Sequence, residues 1–400
     1  MGGVARRATA IKDYRAKHPD VPFLLVETGN ALKQSDNLDD PASRWALEIL
    51  NELGTDALNV TAGDLRRLSR LAEQDRLPKG LRTACVSSNL KPAAGSRAPL
   101  RPFAVATVAP EGGGEAVRVG ILAVSVPEGG GAGAAPIDDA LKQHLPEVEA
   151  QSDLVVLLAR QGDAELVRLA RAFPGIDVIV NGTGAGEGRE FPKVGNTVIV
   201  EAAHAGVALG VLDVAWDRAG HVEKSKNMLI PLPPPVPEDA RIADLAEKAH
   251  RDSMAFEEEA ARKSSPVTMP SVFAGSAQCK DCHEKAYKVW EKSGHARAID
   301  VLKKTGDHFN SDCLECHVTG YGINQGFVNV LRTPQLAGVQ CEACHAASVA
   351  HAASPQSFHP GLGETSKVRR RLHKDFCLRC HTPENSPRFN FDEYWKKIQH

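Results

Sequence analysis

Four copies of one five-residue pattern decide what the last third of this 400-residue chain can become: CKDCH (279–283), CLECH (313–317), CEACH (341–345) and CLRCH (377–381). They use eight of the nine cysteines, and Cys85 alone lies outside the last 122 residues. At the chain's own Cys and His frequencies, about 0.01 copies of Cys-x-x-Cys-His are expected by chance. A zinc centre explains paired Cys-x-x-Cys units but gives no reason for a histidine after every one. Covalent haem gives that reason. The two thiols form thioethers to the two vinyl groups of one porphyrin, and the adjoining imidazole coordinates its iron. The pattern predicts four haem c groups, held by Cys279, Cys282, Cys313, Cys316, Cys341, Cys344, Cys377 and Cys380, with His283, His317, His345 and His381 as proximal ligands.

The surrounding segment agrees. After SSPVTMP (264–270) there is no strand-like run, glycines and prolines are scattered, and ten of the fifteen histidines appear. Macrocycles would replace the missing aliphatic core. Six histidines remain as candidate distal ligands: His295, His308, His351, His359, His373 and His400. Iron between two imidazoles is saturated and suited to electron transfer, whereas iron lacking its sixth ligand can bind a small molecule. Ligand count therefore separates a wire from a catalyst.

The front of the chain reads differently. FLLVE (23–27), ALNV (57–60), ACVSSN (84–89), RVGILAVS (118–125), DLVVLLA (153–159), DVIVNG (177–182) and TVIVEAA (197–203) are strand-like. SRWALEILNELG (43–54), GDLRRLSRLAEQ (63–74) and DAELVRLARAF (163–173) place apolar residues at helical spacing. This alternation predicts an α/β sandwich. The Gly-rich stretches at 111–115 and 128–136 lack the spacing of a phosphate-binding loop. IPLPPPVPED (230–239) reads as a stiff linker, and residues 239–263 as one long polar helix with a solvated face. The expected organisation is an α/β domain over 1–235, linker and helix over 236–270, and a mainly α, irregular multihaem domain over 271–400. A net charge of −2 gives no reason to expect nucleic acid as a partner, and no run of eighteen apolar residues predicts a transmembrane segment. Residues 271–400 carry about +4 before haem propionates add roughly −8, so that surface is expected to be mildly acidic.

SAQCKDCHEKAYKVWEKSGHARA (276–298), CLECHVTGYGINQGF (313–327), LAGVQCEACHAASVAH (336–351) and LHKDFCLRCHTPENSPRF (372–389) together resemble the tetrahaem cytochrome c-554 family. The resemblance implies closely packed haem pairs, three irons with two histidines and one open iron. The family's type member accepts electrons from hydroxylamine oxidoreductase and passes them on. Carried across by motif, distal ligands fall at His295, at His351 after the third motif and at His373 before the fourth. His351 is expected to leave its own motif and cap a different haem. The second haem, on Cys313, Cys316 and His317, is the open one in the type member. Here His400 is preferred to close it, because it ends a predicted helix, FDEYWKKIQ, ahead of His308 and His359. The third motif continues CHAAS where the family has CHGPG. The implied function is electron transfer with redox proteins as partners, compatible with a homo-oligomer or haem filament. The alternatives are a redox enzyme acting on a small nitrogen compound and a haem-linked phosphoesterase.

GGVARRATAIKDYRAK, VPFLLVETGNAL, LGTDALNVTAGDL, SDLVVLLARQGD and GIDVIVNGTGAG resemble, in that order, the calcineurin-like metallophosphoesterases of the 5′-nucleotidase type. The resemblance implies an αββα sandwich, here N-terminally truncated. It also implies two metals held by Asp, Asn and His that activate water for attack on phosphorus. Yet Asp-x-Gly-Asp/Asn stands here as Glu27-Thr28-Gly29-Asn30, and the Gly-Asn-His-Glu block is replaced around Ala62, Gly63 and Asp64. The histidine expected after LVVLLA is Arg160, and Gly-His-x-His has become Gly182, Thr183, Gly184 and Ala185. Arginine and threonine cannot replace imidazoles around a divalent metal. The expectation is a non-catalytic domain with a structural or docking role, in which His144 and His204 are structural and Cys85 is a buried strand thiol. Thioether attachment takes place outside the cytoplasm, so a periplasmic or extracellular location is expected. The opening MGGVARRATAIKDYRAKHPD has no apolar signal region, so the export signal and first strand are expected upstream of Met1.

Overall fold

The computed structural model divides into two compact units, Met1–Asp252 and Ser253–His400. It describes residues 3–32, 37–126, 134–183, 191–202, 206–217, 222–264, 271–345, 349–354, 374–383 and 385–400.

In the first unit the apolar runs form two sheets. β1 (Val26–Glu27), β2 (Ala57–Asn59), β3 (Ala84–Val86) and β4 (Leu100–Arg101) pair in parallel, in that order. β5 (Phe103–Val108) is antiparallel to β6 (Val117–Ser125), which continues in parallel through β7 (Leu154–Arg160), β8 (Val178–Asn181) and β9 (Val198–Glu201). Strands this apolar must be covered on both faces. The period of two shows how: Ile121, Ala123, Val156 and Leu158 face Ala57 and Val86 of the other sheet. Their neighbours Leu122, Val124, Leu157 and Ala159 point outward.

Helices complete the layers. α1 (Val4–Lys17) packs Ala5, Ala8 and Ile11 with Ile49 and Leu53. α2 (Ala42–Glu52) and α3 (Ala62–Glu73) cover the first sheet with Leu47, Leu50, Leu68 and Leu71. α4 (Ile137–Glu149) and α5 (Asp163–Ala172) cover the second with Leu141, Leu145, Val148, Leu166 and Leu169. The result is the α/β/β/α stack that the sequence predicts. An antiparallel hairpin, β10 (Ala208–Trp216) and β11 (Val222–Pro231), adds to the strands read from the sequence: its alternation is diluted by charged residues and Gly210. Its second strand absorbs Ile230 and Pro231, the start of the proline segment read as linker. α6 (Ala240–Lys263) is the long polar helix expected there. Among the described residues no helix is long and apolar enough to cross a membrane.

The second unit is built from short helices: α7 (Ser276–Cys279), α8 (Glu284–Glu291), α9 (Ala298–Thr305), α10 (Ser311–His317), α11 (Cys341–His345) and α12 (Val349–Ala353). A C-terminal helix spans Phe391–Ile398 and packs against α8. One small apolar cluster holds Phe273, Ile299, Leu302, Leu314, Val318, Phe327 and Leu336. Other apolar side chains, among them Val301, Ile323, Val328 and Leu331, stay exposed.

The layered core makes a direct prediction. Leu157 is fully buried in β7, so Leu157→Ala is expected to cost about 3 kcal/mol of the first unit's stability in urea denaturation. Val301→Ser, on an exposed face, is expected to change stability by less than about 0.5 kcal/mol.

Candidate functional site

Each Cys-x-x-Cys-His sequence occupies one helical turn. The amide of His283 donates to the Cys279 carbonyl (2.8 Å), and that of His381 to the Cys377 carbonyl (2.9 Å). α10 and α11 contain the second and third copies whole. Residues three and four apart share a face of such a turn, so both thiols and the imidazole of each motif point the same way.

Three of the four motif histidines face a second imidazole from elsewhere in the chain. The ring centroids of His283 and His351 are 6.1 Å apart, those of His295 and His381 6.1 Å, and those of His345 and His400 5.6 Å. Two metal–imidazole bonds of about 2 Å each, plus two ring radii of about 1.2 Å, separate centroids by about 6 Å. Each separation is thus close to that of two imidazoles sharing one metal ion, and the residue types fit a haem iron. Among the described residues His317 belongs to no such pair. Its Nδ1–H donates to the Ala298 carbonyl at 2.7 Å, which fixes the ring and leaves Nε2 as the ligating nitrogen.

These pairs set a second histidine beside three of the motifs. His351 sits with the first motif, His295 with the fourth and His400 with the third. The sequence expectation put His400 at the second site; its ring lies beside the third motif. The final helix docks on α8, and its end brings His400 to His345 instead. His308 lies against Phe309, with centroids 4.8 Å apart, and its Nδ1 is buried without a hydrogen-bond partner. His359 and His373 lie outside the described residues.

The thiols report which motifs are neighbours. Burial pushes the Cys279 thiol up to about 12, helped by the adjacent Cys341 with which it hydrogen-bonds. Cys380 is likewise pushed up to about 12, by burial and then by a hydrogen bond with Cys316. Cys344 rises to about 11 through burial, with Cys377 close by. The first motif thus neighbours the third, the third the fourth, and the fourth the second, adjacencies that sequence spacing does not contain.

In the first unit the residues standing where the resemblance expects metal ligands lie at the carboxyl ends of β1, β2, β7 and β8. Arg160 is among them, its Nη1 donating to the Gly182 carbonyl at 2.7 Å and the Gly29 carbonyl at 3.5 Å. Gly29 has φ +102°, and a Cβ there would stand 2.8 Å from the Asn59 carbonyl oxygen. A Cβ on Gly182 would meet Thr28 Oγ1 at 2.5 Å.

The carboxylates nearby are engaged. Glu27 accepts from Arg7 at 3.1 Å. Asp64 accepts from the amides of Asn30 (2.9 Å), Leu32 (3.0 Å) and Thr61 (3.1 Å) and from Thr61 Oγ1 (2.8 Å), while burial pushes its carboxyl up. Thr61 and Asp64 form the reciprocal cap of α3. Thr183 Oγ1 donates to the Gln161 carbonyl at 2.8 Å. Among the described residues no three His, Cys, Asp or Glu side chains converge as a metal site. A guanidinium between Gly29 and Gly182 does not fit a site for two divalent metals. Gly184, Ala185 and His204 lie outside the described residues. Burial pulls His144 down beside Phe103 and pushes Cys85 up to about 12.

Residues 278–346 match the family model described as Cytochrome c554 and c-prime. Cytochrome c-554 of Nitrosomonas europaea is 27% identical over 172 residues, covering 32% of this chain and 73% of the relative. The snake venom 5′-nucleotidase of Crotalus adamanteus is 28% identical over 281 residues, covering 60% of this chain. The chain spans only 45% of that relative's length. Among solved structures, the sulfate thiohydrolase SoxB of Thermus thermophilus matches with a TM-score of 0.51 at 21% identity, over 63% of this chain and 47% of that one. A 5′-nucleotidase precursor, also from Thermus thermophilus, matches with a TM-score of 0.50 at 20% identity, over 64% of this chain and 54% of that one. The chain thus carries a cytochrome c554 family domain towards its C-terminus, and its N-terminal part has the α/β fold of the 5′-nucleotidases and SoxB.

Proposed function

We propose that this protein is a tetrahaem c-type cytochrome that transfers electrons between redox partner proteins outside the cytoplasm, with its α/β part serving a non-catalytic structural or docking role. The observation that carries the reading is the set of three imidazole pairs, each at the spacing of one intervening iron. Haem held this way supplies a saturated iron that exchanges one electron without taking up a ligand. Cys279, Cys282, His283 and His351 would hold the first group. Cys341, Cys344, His345 and His400 would hold the third, and Cys377, Cys380, His381 and His295 the fourth. Cys313, Cys316 and His317 would hold the second. The neighbouring thiols of the first and third, third and fourth, and fourth and second motifs support a relay.

A second reading, a redox enzyme acting on a small molecule, is favoured by one observation: among the described residues His317 has no imidazole opposite it. A phosphoesterase reading is opposed by the Arg160 guanidinium between Gly29 and Gly182.

Pyridine haemochrome assay against protein mass should give four haems per chain; three or fewer would overturn the tetrahaem reading. Nitric oxide added to the reduced protein should perturb one quarter of the haem absorbance if the second site is open, and none if it is closed. Wild type with Mn²⁺ should hydrolyse no nucleotide monophosphate, whereas metal-dependent release of phosphate would refute the non-catalytic role.

A further inference from the structure

The run Gly338–Glu342, which leads into the third motif, ties together three otherwise separate parts of the second unit. Glu342 is one of the two variable residues inside Cys-x-x-Cys-His, a position where a carboxylate ordinarily faces water. Here it is 3% exposed. Its two oxygens accept from the backbone amides of Ala274 (2.9 Å) and Gly275 (2.7 Å), the turn that enters the first motif. Gly275 has φ +80°, a conformation that disfavours a side chain at this turn.

Further bonds stitch the same two strands of chain. Gln340 Oε1 accepts from the Ser276 amide at 3.0 Å. Ser276 Oγ accepts from the Cys341 amide at 2.9 Å and lies 3.1 Å from Cys341 Sγ. On the other side, the Val339 amide donates to the His295 carbonyl (3.0 Å) and Trp290 Nε1 donates to the Val339 carbonyl (2.7 Å). The Gln340 amide donates to Thr319 Oγ1 at 2.8 Å, just after the second motif. Every one of these bonds is made by protein alone.

We propose that Glu342 is a positioning residue that sets the first attachment site against the third, and that its buried negative charge lowers the midpoint potentials of the two haems held there. The physical reason is direct. A charge removed from water acts strongly on its neighbours, and a negative one favours the more positive, oxidised state of nearby iron. Glu342 adjoins Cys341 and hydrogen-bonds the turn that carries Ser276 and Cys279, so it lies between the first and third attachment points. The inference rests on the tetrahaem reading.

The test is potentiometric titration of the full-length holoprotein, followed by electron paramagnetic resonance so that individual haems are resolved. Haem content of the wild type is measured first; fewer than four haems is a failure of the tetrahaem reading, not of this one. With four present, Glu342→Gln should raise the potentials of two haems and leave the other two in place. Glu342→Asp keeps the charge but withdraws it by one methylene, so the same two potentials should rise by less. If the Gln variant does not assemble, the Asp variant decides alone. A purely structural role would lower thermal stability without a selective shift. Four unmoved potentials, or four that move together, would overturn the proposal.

Discussion

Everything in the second unit depends on bringing two imidazoles from distant parts of the chain to about 6 Å from each other, three times over. His295 must meet His381, His283 must meet His351, and His345 must meet the last residue, His400. An ordinary core would do this by packing strands and long helices. Among the described residues this unit has instead one small apolar cluster and short helices, with several large apolar side chains left exposed. In the proposed reading ligand geometry supplies the missing constraint, and hydrogen-bonded turns such as Gly338–Glu342 add to it.

The first unit illustrates the opposite regime. Its strands are continuous apolar runs buried on both faces, and its helices lay leucines on each side, so burial alone specifies the stack. At the rim Arg160 reaches from the second sheet to loops of both sheets. Asp64 accepts from four donors. These bonds tie the loops at the ends of the strands together.

The sequence made much of this legible, for identifiable reasons. The haem motifs were unmistakable because their spacing is covalent chemistry, and a single helical turn realises it. The strands β2, β3 and β6–β9 were legible because double burial leaves uninterrupted apolar runs, whereas the β10–β11 hairpin, half-exposed and charged, left only a faint alternation. That His351 leaves its own motif is an expectation from the resemblance. Its partner is not legible in the sequence, because pairing is a property of how turns fold together and not of spacing. The same limit applies to His400: the helix before it is legible, but its docking on α8 is not. Glu342 gave no signal, since a lone acidic residue inside a motif looks like any solvated carboxylate until its burial is seen.

The central claim is that three irons sit between imidazole pairs. Electron paramagnetic resonance of the fully oxidised holoprotein, with spins integrated against total iron, tests it most directly. The account predicts low-spin, bis-imidazole signals for at least three quarters of the iron. Low-spin signals from half of the iron or less would contradict it.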